Sequence, residues 1–318
     1  MVAVSIMIEG QQGLTWPRWQ RICATVEESG FAGLFRSDHF TNGAPPDQDA
    51  LEPIVSLAYL AGNTRRIHFG PLVAPVSFRD PIMLARQAIA IDDLSGGRMF
   101  LGLGAGWQER EHTNFGYTLG DIPTRFARFA EALEVITRLL RAEGPVDFTG
   151  RVYHLHEAQL LPRPQRAGGP PILVGGSGPR RTLPLVARYA DVWNSSGLKP
   201  DEFRERSARL DDLVRQAGRQ PEAVRRTMMR PVFFGRTLAE ASERLRGRRL
   251  RPDLVGRPLT QAAETLYREE AMLIGTPEML AEQIARYGQA GVEELMLQWF
   301  DLDDLDGIRA FGAVARGV

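Results

Sequence analysis

The chain has 318 residues, 39 basic and 39 acidic side chains, 43% hydrophobic and 25% charged, the composition of an ordinary folded chain and not of a disordered one. A formal net charge of zero gives no basis for non-specific binding to nucleic acid or an anionic membrane. No run approaches the ~18 apolar residues of a membrane helix, and Cys23, the only cysteine, excludes an internal disulfide and a cysteine metal cluster.

The N-terminus, MVAVSIMIEGQQ, lacks the basic stretch and cleavage site of a signal peptide, so the cytoplasm is the expected compartment. Beyond it, short apolar runs alternate with amphipathic helical stretches. Strands are predicted at 2–8, 33–39, 67–75, 99–106, 171–176, 191–196, 227–234 and 294–299. Runs such as VAVSIMI, MFLGLG, ILVGG and ELMLQW are apolar almost throughout, as expected of parallel strands covered on both faces. The first helix carries Trp19, Ile22, Cys23 and Val26 on one stripe. In 126–140, Phe126, Phe129, Ala130, Leu133, Ile136, Leu139 and Leu140 recur at three- and four-residue spacing, so one stripe faces a sheet. Gly30 and Gly291 each precede an apolar residue and a strand, which suits a left-handed helix cap.

Eight strands in alternation with helices, with no linker composition between halves, predict an α/β fold: one (β/α)8 TIM barrel spanning 1–318, with an open doubly wound sheet as the alternative. Two stretches exceed a minimal barrel. Residues 146–164 read as a hairpin inserted before strand 5. Residues 238–270 read as an arginine-rich helical insertion after strand 7, either a lid or subunit contact or a solvated charged helix. Both are expected at the rim of the pocket.

Barrel sites are built at the C-terminal ends of strands, and four ends are informative. The second strand runs into FRSDHF, which sets His39 at the mouth beside Asp38; an imidazole there can exchange a proton near neutral pH, or serve structure alone. The third breaks at FGPLVAPVSFRDP, a pattern of prolines and glycine that can present backbone to a ligand. The fourth ends in GLGAGWQEREHTNFG. Its glycines let a backbone approach a planar or phosphate-bearing ligand, but Trp107 stands where a dinucleotide fingerprint needs its third glycine. Glu109, Glu111 and His112 have no zinc spacing, so no metal is expected. The fifth ends in ILVGGSGPRRTL, where Gly175, Gly176, Ser177 and Gly178 precede Pro179; such a turn feeding a helix N-terminus can hold a phosphate, or be a plain βα turn. His154 and His156 share one face of the hairpin and read as surface residues.

These segments, with PPILVGGSGPRRTLPLVARYADVWN and GTPEMLAEQIARYGQAGVEELML, resemble the luciferase-like monooxygenase superfamily over nearly the whole chain and in order. SDHF and GAGWxExEH are most similar to the branch of oxidoreductases that use the deazaflavin coenzyme F420; flavin mononucleotide (FMN) is the cofactor of related branches. The resemblance implies a cis peptide at Leu72 and Val73 backing the cofactor's central ring. It places Gly104, Ala105 and Gly106 along the ring and its side chain, and Gly175, Gly176, Ser177 and Gly178 on the phosphate, with Asp38, Glu109 and His112 in the same cofactor set. His39 would face the reactive carbon, exchanging a proton as hydride passes between F420 and a small organic substrate. A homodimer is also implied. The alternatives are an FMN monooxygenase that activates oxygen and a cofactor carrier without turnover. The chain departs from the family's sugar-phosphate dehydrogenases: Gly43 replaces a tryptophan, Trp107 a glutamate, and Lys199 is the only lysine available to clamp a phosphate. Glucose 6-phosphate is therefore not the expected substrate.

Overall fold

The computed structural model describes residues 1–246, 252–270 and 272–317. The chain opens with β1 (Ala3–Ile8), α1 (Trp16–Ser29), β2 (Gly33–Arg36), α2 (Pro53–Asn63), β3 (His68–Pro71), β4 (Ala74–Pro75) and α3 (Pro81–Ser95). Then come β5 (Leu101–Gly104), α4 (Glu109–Phe115), α5 (Ile122–Arg141), the hairpin β6 (Val146–Thr149) and β7 (His154–Ala158), β8 (Ile172–Gly175) and α6 (Thr182–Tyr189). The last third holds β9 (Val192–Ser196), α7 (Pro200–Gln216), β10 (Arg225–Phe234), α8 (Leu238–Arg246), α9 (Leu259–Glu270), β11 (Leu273–Gly275), α10 (Pro277–Gln289), β12 (Glu294–Trp299) and α11 (Leu305–Ala315). Helix starts carry the expected chemistry: the Asp80, Asp121 and Asp304 carboxylates accept backbone N–H groups at the heads of α3, α5 and α11. Gly30 (φ 89°) and Gly291 (φ 94°) are left-handed, as their places after α1 and α10 require.

Nine parallel strands follow one another in the order β3-β2-β1-β12-β10-β9-β8-β5-β4. β3 and β4 are halves of the single stave predicted at 67–75, parted at Leu72 and Val73, and a bridge between Phe69 and Met99 draws the ring nearly closed. The architecture is a TIM-type barrel and not an open doubly wound sheet.

The strands are apolar on both faces, yet the two faces differ. Along β1, Val4, Ile6 and Ile8 belong to the large core beneath the helices, while Ser5, Met7 and, one step past the strand, Glu9 form the inward row. β12 does the same, with Leu295, Leu297 and Trp299 outward and Glu294, Met296 and Gln298 inward. The barrel interior is therefore layered. At its N-terminal end the fully buried Glu294 accepts from Ser5 Oγ, meets His68 Nε2 at 2.7 Å and pairs with Arg225 at 3.2 Å. Above it Met7, Phe35, Leu72, Leu173, Val192 and Met296 fill the lumen. The mouth above them is open.

Three expectations need correction. The hairpin forms as predicted, but it joins a helix to the following strand and so arises on the side away from the mouth. It lies along α5, with Val146 against Val135 and Leu139 and the Arg151, Val152 and Tyr153 N–H groups bound by Glu131, and no residue of 146–164 lines the main cavity. The 238–270 insertion packs Leu245, Leu254, Ala262, Ala263 and Leu266 around Phe233 and Ile274; none of its described residues lines that cavity, and 247–251 lie outside the described residues. A strand not predicted, β11, follows the insertion and pairs with Val232, Phe233 and Phe234 of β10. Only three residues long, it falls below what apolar periodicity can register.

Candidate active site

A cavity of about 770 Å³ opens among the C-terminal strand ends, large enough for a planar cofactor ring and a small second molecule. Its wall takes residues from every stave of the ring.

His39 lines it from the loop after β2. Its Nδ1 stands 3.0 Å from both carboxylate oxygens of Glu111, which also accepts the Phe40 N–H at 3.1 Å. With Nδ1 held, Nε2 is the nitrogen left for chemistry. Burial of the ring disfavours the imidazolium, but the hydrogen bond and charge of Glu111, with Glu9 and Asp38 further off, outweigh it and hold the His39 pKa above its usual value. Trp107 meets the imidazole edge-on at 5.5 Å.

The peptide between Leu72 and Val73 is cis, at the position the resemblance implies. Both residues line the cavity, as do Gly104, Ala105, Gly106, Gly175 and Gly176. The glycines have a packing reason beyond ligand approach. A Cβ on Gly104 would stand 2.5 Å from Cγ2 of Val73 and one on Gly175 3.0 Å from its Cγ1. A Cβ on Gly102 would run into the Pro71 carbonyl. Gly106 (φ 83°) and Gly176 (φ 125°) also adopt left-handed backbone.

Other predicted residues lie outside the cavity lining. Asp38, on the opposite side of the strand end from His39, is buried in a two-pronged ion pair with Arg79, both contacts 2.9 Å. In α4 the helical turn sends Glu109 to solvent and Glu111 and His112 inward. His112 is fixed behind the wall by the Gln108 carbonyl and Ser77 Oγ, each at 2.7 Å. Ser177 Oγ donates to the Ser196 carbonyl and accepts its N–H, tying two loops together. The Gly178 carbonyl accepts the Thr182 and Leu183 N–H groups. Helix α6 accordingly begins at Thr182, three residues after Pro179, and Thr182 itself lines the cavity.

Several lining residues were not anticipated: Glu9, Gln11, Arg125, Asn194, Gln298 and Phe300. Arg125, from the first turn of α5, donates to the Gly106 carbonyl at 3.2 Å, and its buried Nε has no hydrogen-bond partner among the described residues. Glu9 and Gln298 follow the inward rows of β1 and β12, a period-two signal present in the sequence. Among the described residues no group of three or more His, Cys, Asp or Glu is placed to hold a metal ion, and no helix is long and apolar enough to cross a membrane.

A sequence profile of the luciferase-like monooxygenase family matches residues 2–294: the chain belongs to this family. Among curated proteins it is similar to 4-hydroxyprotoasukamycin monooxygenase of Streptomyces nodosus subsp. asukaensis, 32% identical over 59% of this chain and 49% of that one. It is also similar to F420-dependent glucose-6-phosphate dehydrogenase of Kineococcus radiotolerans, 33% identical over 52% of this chain and 47% of that one. The matched region thus spans about half the length of these curated relatives. Among solved structures, an F420-dependent secondary alcohol dehydrogenase in complex with an F420-acetone adduct superimposes with a TM-score of 0.80 over 98% of each chain at 22% identity, a likeness of fold.

Proposed function

We propose that the chain is an oxidoreductase that binds F420 in this cavity and exchanges hydride with a small organic substrate, with His39 as general acid or base. The observation that carries the reading is the dyad: a histidine whose Nδ1 is held by a buried carboxylate and whose other nitrogen is left for a cavity walled on one side by backbone. When bound, F420 supplies two-electron hydride chemistry. The residues present fit such a group. Gly104, Ala105 and Gly106 leave a stretch of wall without large side chains, against which a planar ring could lie, and Leu72 and Val73 would back it. Gly175, Gly176, Thr182 and Ser196 gather backbone and hydroxyl groups where a phosphate would lie, and the Arg125 guanidinium lines the same cavity.

His39 would take the proton of a substrate hydroxyl, or return it to a carbonyl, at Nε2. Glu111 fixes the ring and favours its charged form. The monooxygenase among the relatives keeps FMN as the second reading. The test is His39→Asn beside the parent, mixed without oxygen with oxidised F420 and a panel of alcohols, and with reduced F420 and the matching ketones. Loss of turnover by at least about a hundredfold with cofactor affinity retained is expected; unchanged turnover refutes the role of His39.

A further inference from the structure

The two halves of the cavity differ in chemistry. From β3 through β5 to β8 the strand ends themselves present backbone and hydrocarbon, Leu72, Val73 and the glycines, with Arg125 and Thr182 beyond them. Across the ring, β1 and β12 present a carboxylate and amides: Glu9, Gln11 and Gln298. Glu9 continues the inward row of Ser5 and Met7, so its side chain is aimed into the lumen. One of its oxygens accepts from Gln298 Nε2 at 2.5 Å and the other from Gln11 Nε2 at 2.9 Å. Gln11 is itself anchored, since its carbonyl accepts from Ser37 Oγ at 2.7 Å and that hydroxyl accepts the Gly10 N–H at 2.8 Å.

No arginine, lysine or histidine among the described residues forms an ion pair with Glu9. The other lining carboxylate, Glu111, is already engaged by His39 and the Phe40 N–H. A carboxylate accepts about four hydrogen bonds. Glu9 has two, both from neutral amides, so its charge and half of its accepting capacity remain for whatever enters. Met7, Met229 and Phe300 add apolar surface to the same cavity.

We infer that Glu9 recognises a hydrogen-bond-donating group on the substrate, a hydroxyl or a protonated amine separate from the centre that reacts. The inference rests on the functional reading above, in which the cofactor occupies the backbone-lined half and the substrate the half that holds Glu9. Donors to a carboxylate make the stronger, charge-assisted class of hydrogen bond. A site built around such an acceptor rejects analogues that leave it unpaired. The same charge repels substrates bearing a carboxylate on that side. The substrate class is thus a small diol or amino alcohol whose carbon skeleton packs on Met7, Met229 and Phe300.

Three probes test this: butan-2-ol, butane-1,3-diol and 4-aminobutan-2-ol, titrated by NMR into the protein with and without F420. The parent is expected to bind the diol or the amine at least about tenfold more tightly than butan-2-ol, and Glu9→Gln, which keeps the shape and removes the charge, to erase that preference. Loss confined to the amine identifies an ammonium, and loss with both a hydroxyl. Gln298→Met frees one Glu9 oxygen and keeps the preference if Glu9 is the reader. Equal binding of all three probes by the parent, survival of the preference in Glu9→Gln, or its loss in Gln298→Met overturns the inference. Failure to bind F420 overturns the functional reading alone, because the cofactor-free titration still decides the role of Glu9.

Discussion

Val73 is gripped by two glycines, and this predicts the behaviour of Gly104→Ala. The new methyl would stand 2.5 Å from Cγ2 of Val73, about an ångström inside ordinary carbon contact of ~3.5–4 Å. Val73 cannot simply turn away. Its χ1 is stiff, and its Cγ1 lies 3.0 Å from where a Cβ on Gly175 would be. Gly104 does not adopt left-handed backbone, so alanine costs nothing there in φ and the clash stands alone. Overpacking of this kind costs about 1–3 kcal/mol. Because Val73 lines the cavity, the displaced side chain would weaken cofactor binding as well as stability. Val73→Ala removes both methyls, so the double variant should recover most of the loss, with a coupling of about 0.5–3 kcal/mol. Urea unfolding and cofactor titration of the parent, both single variants and the double variant measure that cycle. Purely additive effects would refute the packing argument.

Glu111→Gln removes the charge that holds the His39 pKa up, so NMR titration of the imidazole should show a lower pKa and any activity limb set by His39 should move to lower pH. The raised folded pKa also means that this pair's contribution to stability is present at low pH and fades as pH rises through it; Glu111→Gln should flatten that dependence in unfolding curves. At the other end of the barrel, burial raises the Glu294 pKa but His68, Arg225 and Ser5 outweigh it and hold it below the carboxylate range. Its contribution is therefore present above the unfolded glutamate pKa of ~4.3 and lost as pH falls. His68→Leu, which leaves that carboxylate short of a partner, should cost about 3 kcal/mol in urea at neutral pH and less in acid; an unchanged midpoint counts against a stabilising role for the His68–Glu294 pair. Asp38→Asn should lower stability through Arg79 while leaving cofactor affinity within about twofold, as calorimetry can show.

The barrel was legible because apolar runs of strand length alternated with helical stripes, and each predicted strand has its counterpart in the ring. Glycine caps at Gly30 and Gly291 were also legible, since each needs a left-handed backbone that residue type betrays; the prolines and glycine of 69–81 mark a break in the third strand, but its place at Leu72 and Val73 follows only from the family resemblance. His39 reaches the cavity because it follows the C-terminal end of a barrel strand. Asp38, its neighbour, goes the other way by pleat alternation. The Glu109 and Glu111 pair shows a limit: two acidic residues two apart on a short helix diverge by half a turn, and only the fold tells which one meets the imidazole. Glu9 and Gln298 were in plain sight on the inward rows of β1 and β12. Runs apolar on both faces hide their weaker alternation, large aliphatic outward and polar inward. β11 and the path of the hairpin along α5 depend on tertiary pairing and left no periodic trace.

If F420 is the cofactor of this cavity, as proposed, the protein binds it in preference to FMN. Parallel fluorescence titrations of the cofactor-free protein with F420 and with FMN test it most directly. The account predicts micromolar binding of F420, weakened by Gly104→Ala and by changes at Thr182 or Arg125, with FMN bound markedly less well. Micromolar FMN with no detectable F420 would contradict it.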